Sequence, residues 1–186
     1  MDTRQHGLSE AETALLAMVD RTQAVIHFTT DGTILQANAN FLAAVDYDAE
    51  AIIGRHHRIF VDPAYAASTE YADFWHRLRM GEVFTDQFPR LTRTGRRIWI
   101  QATYAPVLDA AGKITRVVKV ATDVTARREA VESLAQGLER LSQGDLTQRL
   151  PVSDIPDLAI LAETFNRTTG NLTTLVARLG KVTGAV

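Results

Sequence analysis

RRIWIQATYAPVLDAAGKITRVVKVATDVT, residues 96–125, decides the fold. Ile98, Ile100 and Ala102 fall on one face of an extended segment, and Trp99, Gln101 and Thr103 fall on the other. That two-residue period marks a half-buried β-strand over Arg97 to Leu108. Asp109-Ala110-Ala111-Gly112 is a turn, and Ile114 to Ala121 is a further strand rich in β-branched residues. From Ala126 the period changes. Val131, Leu134, Leu138 and Leu141 step by three, four and three, the spacing of a heptad seam. A sheet therefore hands its last strand to a helix through Asp123-Val124-Thr125. Thr125 is placed to cap a helix that begins at Ala126, and Asp123 can pin the strand end. Such a junction suits transmission of a state better than turnover of a substrate.

Upstream, Val25 to Thr29 and Thr33 to Ala37 flank Asp31-Gly32 and read as a β-hairpin. Short helices follow at Phe41 to Val45 and at Asp48 to Ile53, the second stopped by Gly54. Ser68 caps a helix running through Met80, with Tyr71, Phe74, Trp75 and Leu78 on one face. Glu82 to Thr92 is the third strand. The order gives a five-stranded antiparallel sheet with short helices on one face, an α+β arrangement. At the N-terminus Ser9 and Glu12 form a capping box, and Leu8, Ala11, Leu15 and Met18 give residues 1–22 an amphipathic helix. That helix either packs on the domain or contacts a second chain.

Downstream, Gly144-Asp145 interrupts the seam and a non-helical connector follows. The seam resumes at Leu158, Leu161, Phe165, Thr168, Leu172, Leu175, Leu179 and Val182. So narrow an apolar stripe has no core of its own; it needs partners and implies an oligomeric bundle.

Composition excludes several function classes. The chain has 186 residues and a formal net charge of −2, so no basic excess supports general nucleic-acid binding. It contains no cysteine, which rules out disulfides, thiolate catalysis and cysteine-ligated metals. There is no apolar run of membrane-spanning length and no signal-peptide pattern, so the cytoplasm is the expected location. No G-x-S-x-G, P-loop or dinucleotide-binding glycine pattern is present, and the chain reads as a non-enzyme.

These pieces carry a family resemblance. "VIHFTTDGTILQANANF", "IIGRHHRIFVDP", "EYADFWHRLRMGE" and the closing Asp-x-Thr of the opening stretch make residues 23–125 resemble a PAS domain. "LERLSQGDLTQRL" and "DIPDLAILAETFNRTTGNL" make residues 126–180 similar to a HAMP module, with residues 181–186 starting a further helix. A PAS domain followed by HAMP resembles the N-terminal part of soluble bacterial methyl-accepting chemotaxis receptors. The resemblance implies a parallel coiled-coil bundle of two chains, a homodimer. It implies chemotaxis kinase and coupling protein as partners of the full-length receptor. It also implies signal transmission through Asp123, Thr125, Gly144, Asp145 and Phe165. The alternatives are the input half of a histidine kinase or diguanylate cyclase, and a ligand-free PAS dimerisation module.

The resemblance also implies a pocket between sheet and helices that can hold haem, flavin or a small molecule. His56, His57, Trp75, Trp99 and Asn38 are the candidates for it. Haem iron through His57 is the one metal reading, because a neutral imidazole ligates iron. The sequence departs from known haem and flavin patterns at Val61-Asp62. Each candidate has a plainer reading. His57 can bond a backbone carbonyl, Trp75 can anchor the core, and Asn38 with Asn40 can cap a helix. Arg90, Arg93, Arg96 and Arg97 read as a solvated basic turn.

Overall fold

The computed structural model describes residues 9–183, in two compact units divided between Val124 and Thr125. The expectations that involve Leu8, the rest of residues 1–8 and residues 184–186 lie outside the described residues, as does the side chain of Val182.

The first unit opens with helix α1, Glu10–Thr22, whose capping box of Ser9 and Glu12 is formed reciprocally. Strands β1 (Ala24–Phe28) and β2 (Ile34–Ala37) make the hairpin. Helices α2 (Ala39–Val45) and α3 (Ala49–Ile52), a 3-10 turn at His57–Phe60, α4 (Pro63–Ala66) and α5 (Thr69–Arg79) follow. Strands β3 (Phe84–Leu91), β4 (Arg97–Leu108) and β5 (Ile114–Asp123) complete a five-stranded antiparallel sheet in the order β2-β1-β5-β4-β3. Strand β5 sits in the middle, so both β1 and β4 pair with it and the two ends of the chain segment meet at the sheet centre.

The pleat sends Ile98, Ile100, Ala102 and Tyr104 of β4 to the inner face, together with Ile26, Phe28, Val117 and Ala121. The helices cover that face with Phe41, Ile52, Phe60, Phe74, Trp75 and Leu78 to form one apolar core. These six aromatic or aliphatic side chains each gain roughly 1.5–3 kcal/mol on burial, which is the main force holding the short helices down. Helix α1 is tied on differently. Asn38 and Asn40 donate to the carbonyls of Asp20 and Gln23 at its C-terminal end, while Leu15, Leu16 and Met18 stay more than half exposed.

Gly32, in the β1–β2 turn, has φ +93, and a Cβ there would lie 2.8 Å from both His56 Nε2 and the Trp75 ring. The hairpin can close over Trp75 only because this position carries no side chain.

The second unit contains α6 (Thr125–Ser142) and α7 (Pro156–Thr183) with a connector between them. Helix α6 opens at Thr125 itself, one residue earlier than the capping pattern suggested. It ends in a Schellman motif: Gly144, at φ +87, donates to the Leu141 carbonyl and Asp145 donates to that of Arg140. Asp145 then accepts from the Thr147 amide and hydroxyl and from Gln148, and these bonds hold its carboxyl below the usual range. Asn166 clamps the connector to α7, accepting from the Leu150 amide and donating to the Leu150 carbonyl. Phe165 packs over Gly137, where a Cβ would come within 3.1 Å of its ring.

The heptad seam of α7 splits into two stripes. Leu158, Ala162, Phe165 and Thr169 are buried within this unit. Leu161, Leu172, Leu175 and Leu179 are not. Thr169, fully buried, takes the inward place that the sequence spacing assigned to Thr168, which is exposed.

Replacing Gly32 with alanine is expected to destabilise the first unit by roughly 2–4 kcal/mol, combining left-handed strain with overpacking. Denaturant unfolding of the variant checks this, with a midpoint well below that of the parent chain as the expected result.

Candidate functional site

The chemistry of the first unit is concentrated inside its core. The 3-10 turn places His57, fully buried, under the sheet. Its Nδ1 lies 2.8 Å from the Tyr71 hydroxyl and its Nε2 lies 3.1 Å from that of Tyr104. Arg90, almost fully buried on β3, donates to the same Tyr104 hydroxyl at 2.8 Å and to the Pro89 carbonyl at 2.6 Å. A guanidinium can only donate, so the Tyr104 oxygen accepts from Arg90 and its own proton is available to His57 Nε2. The opposite ring nitrogen then donates to Tyr71. Protons thus order along Arg90, Tyr104, His57 and Tyr71.

Six aromatic rings enclose the imidazole. Phe28, Phe60, Tyr71, Phe74, Trp75 and Tyr104 have centroids 5.4 to 6.4 Å from it. Lys119, fully buried on β5 and directly opposite Tyr104 across the ladder, sets its Nζ 5.0 Å from the Tyr104 ring and 5.1 Å from Phe41. Its Nζ has no hydrogen-bond partner.

Burial sets the protonation states. Desolvation, then the nearby Arg90 and Lys119 charges, holds His57 well below the usual histidine range. Desolvation and Arg90 hold Lys119 well below the usual lysine range. The Tyr71 phenol is pushed up to about 12, chiefly by burial, and burial raises Tyr104 as well. The network is therefore a neutral imidazole between two un-ionised phenols, with one guanidinium at its end.

The five sequence candidates separate. His57 and Trp75 share the core, their ring centroids 5.5 Å apart. His57 bonds phenols rather than a backbone carbonyl, and it is His56 that bonds one, through Nε2 to Asp31 at 2.7 Å. Trp99 lies on the opposite face of β4 from Tyr104, away from this cluster. Asn38 is consumed by structure: its side-chain oxygen accepts from the Val25 and Phe41 amides, and its amide donates to α1. Arg90 leaves the basic turn and enters the core.

Haem ligation through His57 does not fit this arrangement. Both imidazole nitrogens already face phenol hydroxyls, and the space around them holds the protein's own rings. A flavin ring against Trp75 meets the same obstacle, because Phe28, His56, His57 and Phe74 pack edge-on to that indole.

Sequence reasoning missed Arg90, Tyr104 and Lys119. The signal was parity. Lys119 stands two residues from Val117 and from Ala121, and Arg90 stands two from Phe88, so alternation alone turns both toward the core.

The buried neutral His57 fixes a pH dependence. In the unfolded chain a histidine titrates near 6.5, whereas the folded state resists protonation. Its contribution to stability is present above about pH 6.5 and is lost as pH falls toward the folded-state value, by up to about 1.4 kcal/mol per unit. His27 and His56, also depressed mainly by desolvation, add the same sign. Urea midpoints measured from pH 7 to pH 5 should fall, and His57→Gln should make that fall shallower whatever its midpoint at pH 7. Equal slopes in the two proteins would contradict this assignment.

The comparisons with known proteins agree with this architecture. Residues 19–129 match the PAS fold family and residues 129–174 match the HAMP domain family. The chain is 42% identical over 128 residues to the biofilm dispersion protein BdlA of Pseudomonas aeruginosa. That match covers 69% of this chain and 31% of BdlA, so the chain spans about a third of the length of this relative. Among solved structures, a PAS domain from Colwellia psychrerythraea superposes with TM-score 0.54 at 16% identity, covering 62% of this chain and 98% of that one. A sensory box histidine kinase/response regulator domain from Geobacter sulfurreducens gives 0.52 at 17% identity, over 63% and 98% of the two chains. At such identities these structures speak for the fold alone. Both matched families are signalling modules rather than catalytic ones, and among the described residues no helix is long and apolar enough to cross a membrane. The chain belongs to the PAS fold family, and its PAS domain is followed by a HAMP domain.

Proposed function

We propose that this chain is the sensing and relay segment of a dimeric, cytoplasmic receptor of the chemotaxis type. Residues 23–125 take the signal and residues 126–180 carry it onward. The chemotaxis kinase and coupling protein are the partners of the full receptor. The name of BdlA ties that protein to biofilm dispersion, and the same process is the cellular output we assign here.

The observation that carries this reading is the second stripe of α7. Leu161, Leu172, Leu175 and Leu179 are 47%, 37%, 53% and 66% exposed. The last three keep heptad spacing along the helix. Each leucine gains roughly 1.5–3 kcal/mol on full burial, so pairing this stripe with its copy on a second chain is strongly favoured. The exposed Leu15, Leu16 and Met18 of α1 offer a further surface to the same dimer.

Asp123 ends β5 and Thr125 begins α6, with one residue between sensor and relay. In the relay, Gly144 and Asp145 stop α6, and Phe165 fills the space beside Gly137. A two-chain bundle of such helices supports alternative packings separated by a few kcal/mol, roughly, which is the requirement for a switch. The input must favour one packing over the other, since an input indifferent to both shifts nothing.

The absence of cysteine makes a direct test available. In a parallel dimer, Leu172→Cys brings two identical thiols together, and mild oxidation should give a disulfide-linked dimer on a non-reducing gel. Leu172→Glu should reduce the solution mass by light scattering to that of one chain. Phe165→Glu should instead loosen the packing within each chain, because Phe165 is buried there already. A monomeric parent chain, or a Leu172→Cys protein that does not cross-link, would refute the dimeric relay.

A further inference from the structure

Three basic side chains, His57, Arg90 and Lys119, are buried in the first unit, and among the described residues no carboxylate is buried with them. Buried cations are ordinarily paired, because an unpaired charge out of water is costly. Burial favours the uncharged forms of His57 and Lys119. Arginine has no such route in proteins. Two of the nitrogens of Arg90 are satisfied by Pro89 and Tyr104, but its Nε has no partner. The Arg90 Nε can only donate, so what is missing beside Arg90 is an acceptor.

Arg90 also borders a cleft of about 250 Å³ beside β3, the last strand of the sheet. Tyr65, Phe88 and Leu91 supply apolar walls, and Arg97 adds a second guanidinium. Asp62 lines the same cleft, but it is exposed and its carboxylate accepts the Ala64 amide as the cap of α4.

We propose that this cleft binds a small monocarboxylate with an apolar body. The carboxylate accepts from Arg90, and the body lies against Tyr65, Phe88 and Leu91. The volume is below the roughly 300–1,000 Å³ of pockets that take drug-sized ligands, so an aromatic acid of benzoate size or a short fatty acid is the matching scale. A single negative charge fits better than two, because Asp62 faces the same space. The site deepens the sensing role given above and rests on it: the occupied guanidinium holds the Tyr104 hydroxyl, which in turn holds His57 and Tyr71. An anion that pulls on Arg90 therefore changes hydrogen bonding in the centre of the core.

Calorimetric titration of the 186-residue chain with benzoate, hexanoate, benzamide and phenyl phosphate tests this. Saturable binding of benzoate or hexanoate is expected, with benzamide weaker by at least roughly ten-fold, the scale of one charge-assisted hydrogen bond. Phenyl phosphate should be weaker than benzoate. Arg90→Gln should abolish binding. Leu91→Trp, which fills the cleft from a half-buried position, should abolish it with the circular dichroism spectrum unchanged, and it keeps the test valid if Arg90→Gln does not fold. No saturable binding by either acid, equal binding by benzamide, tighter binding by phenyl phosphate, or binding that survives Leu91→Trp would each overturn the proposal. None of these results bears on the Leu172 cross-link, so the ligand class and the dimeric relay fail separately.

Discussion

The Tyr104 hydroxyl is the constraint on which the first unit depends. It is fully buried, and it must satisfy an arginine that can only donate and a histidine that is held neutral. Removing it would leave the Arg90 terminal nitrogen and the His57 Nε2 unpaired inside an apolar cage, each at a cost of about 1–3 kcal/mol. Everything near it is arranged around that oxygen. Lys119 faces the Tyr104 ring across the strand pair, Phe74 meets the ring edge at a 90° angle, and Phe28 stacks over it. A core built this way specifies one arrangement strongly and is sensitive to any group that competes for the same hydrogen bonds.

That sensitivity separates the sensor from an enzyme and from a haem protein alike. An imidazole with both nitrogens engaged by phenols has neither a lone pair to offer a metal nor an accessible proton for a substrate. It has instead a position in a hydrogen-bonded series that runs from the core to a cleft beside β3. The HAMP unit has the complementary property. Its helices satisfy their ends locally, through the Schellman motif at Gly144 and the Asn166 clamp on Leu150, while one stripe of α7 remains in water. The first unit is closed by its own side chains, and the second leaves the leucines of one α7 stripe exposed.

Much of this was legible in the sequence. Alternation from Arg97 to Leu108 gave β4 to the residue, and Ser68 gave the cap of α5. The Asp31-Gly32 turn and the Ser9–Glu12 capping box were equally direct, because each depends on residues a few positions apart. The interior of the site was harder to read. Lys119 and Arg90 are polar, and a polar residue in a strand is ordinarily given to solvent, although their parity pointed inward. His57 was found, but its partners Tyr71 and Tyr104 lie 14 and 47 residues away, and no local pattern links them. On α7 a single heptad seam was inferred where two stripes exist. A 3.6-residue helix that meets one neighbour through Leu158, Ala162, Phe165 and Thr169 turns Leu161 and Leu172 to another side. Spacing alone does not say which leucine belongs to which neighbour.

The most direct test of this account is the ionisation of His57 itself, followed by nitrogen-15 NMR of the imidazole as pH is lowered. The ordering of protons from Arg90 through Tyr104 requires a neutral ring protonated on Nδ1, unchanged down to well below pH 6.5 while the domain stays folded. A His57 that titrates near 6.5 in the folded protein, or that carries its proton on Nε2, would contradict it.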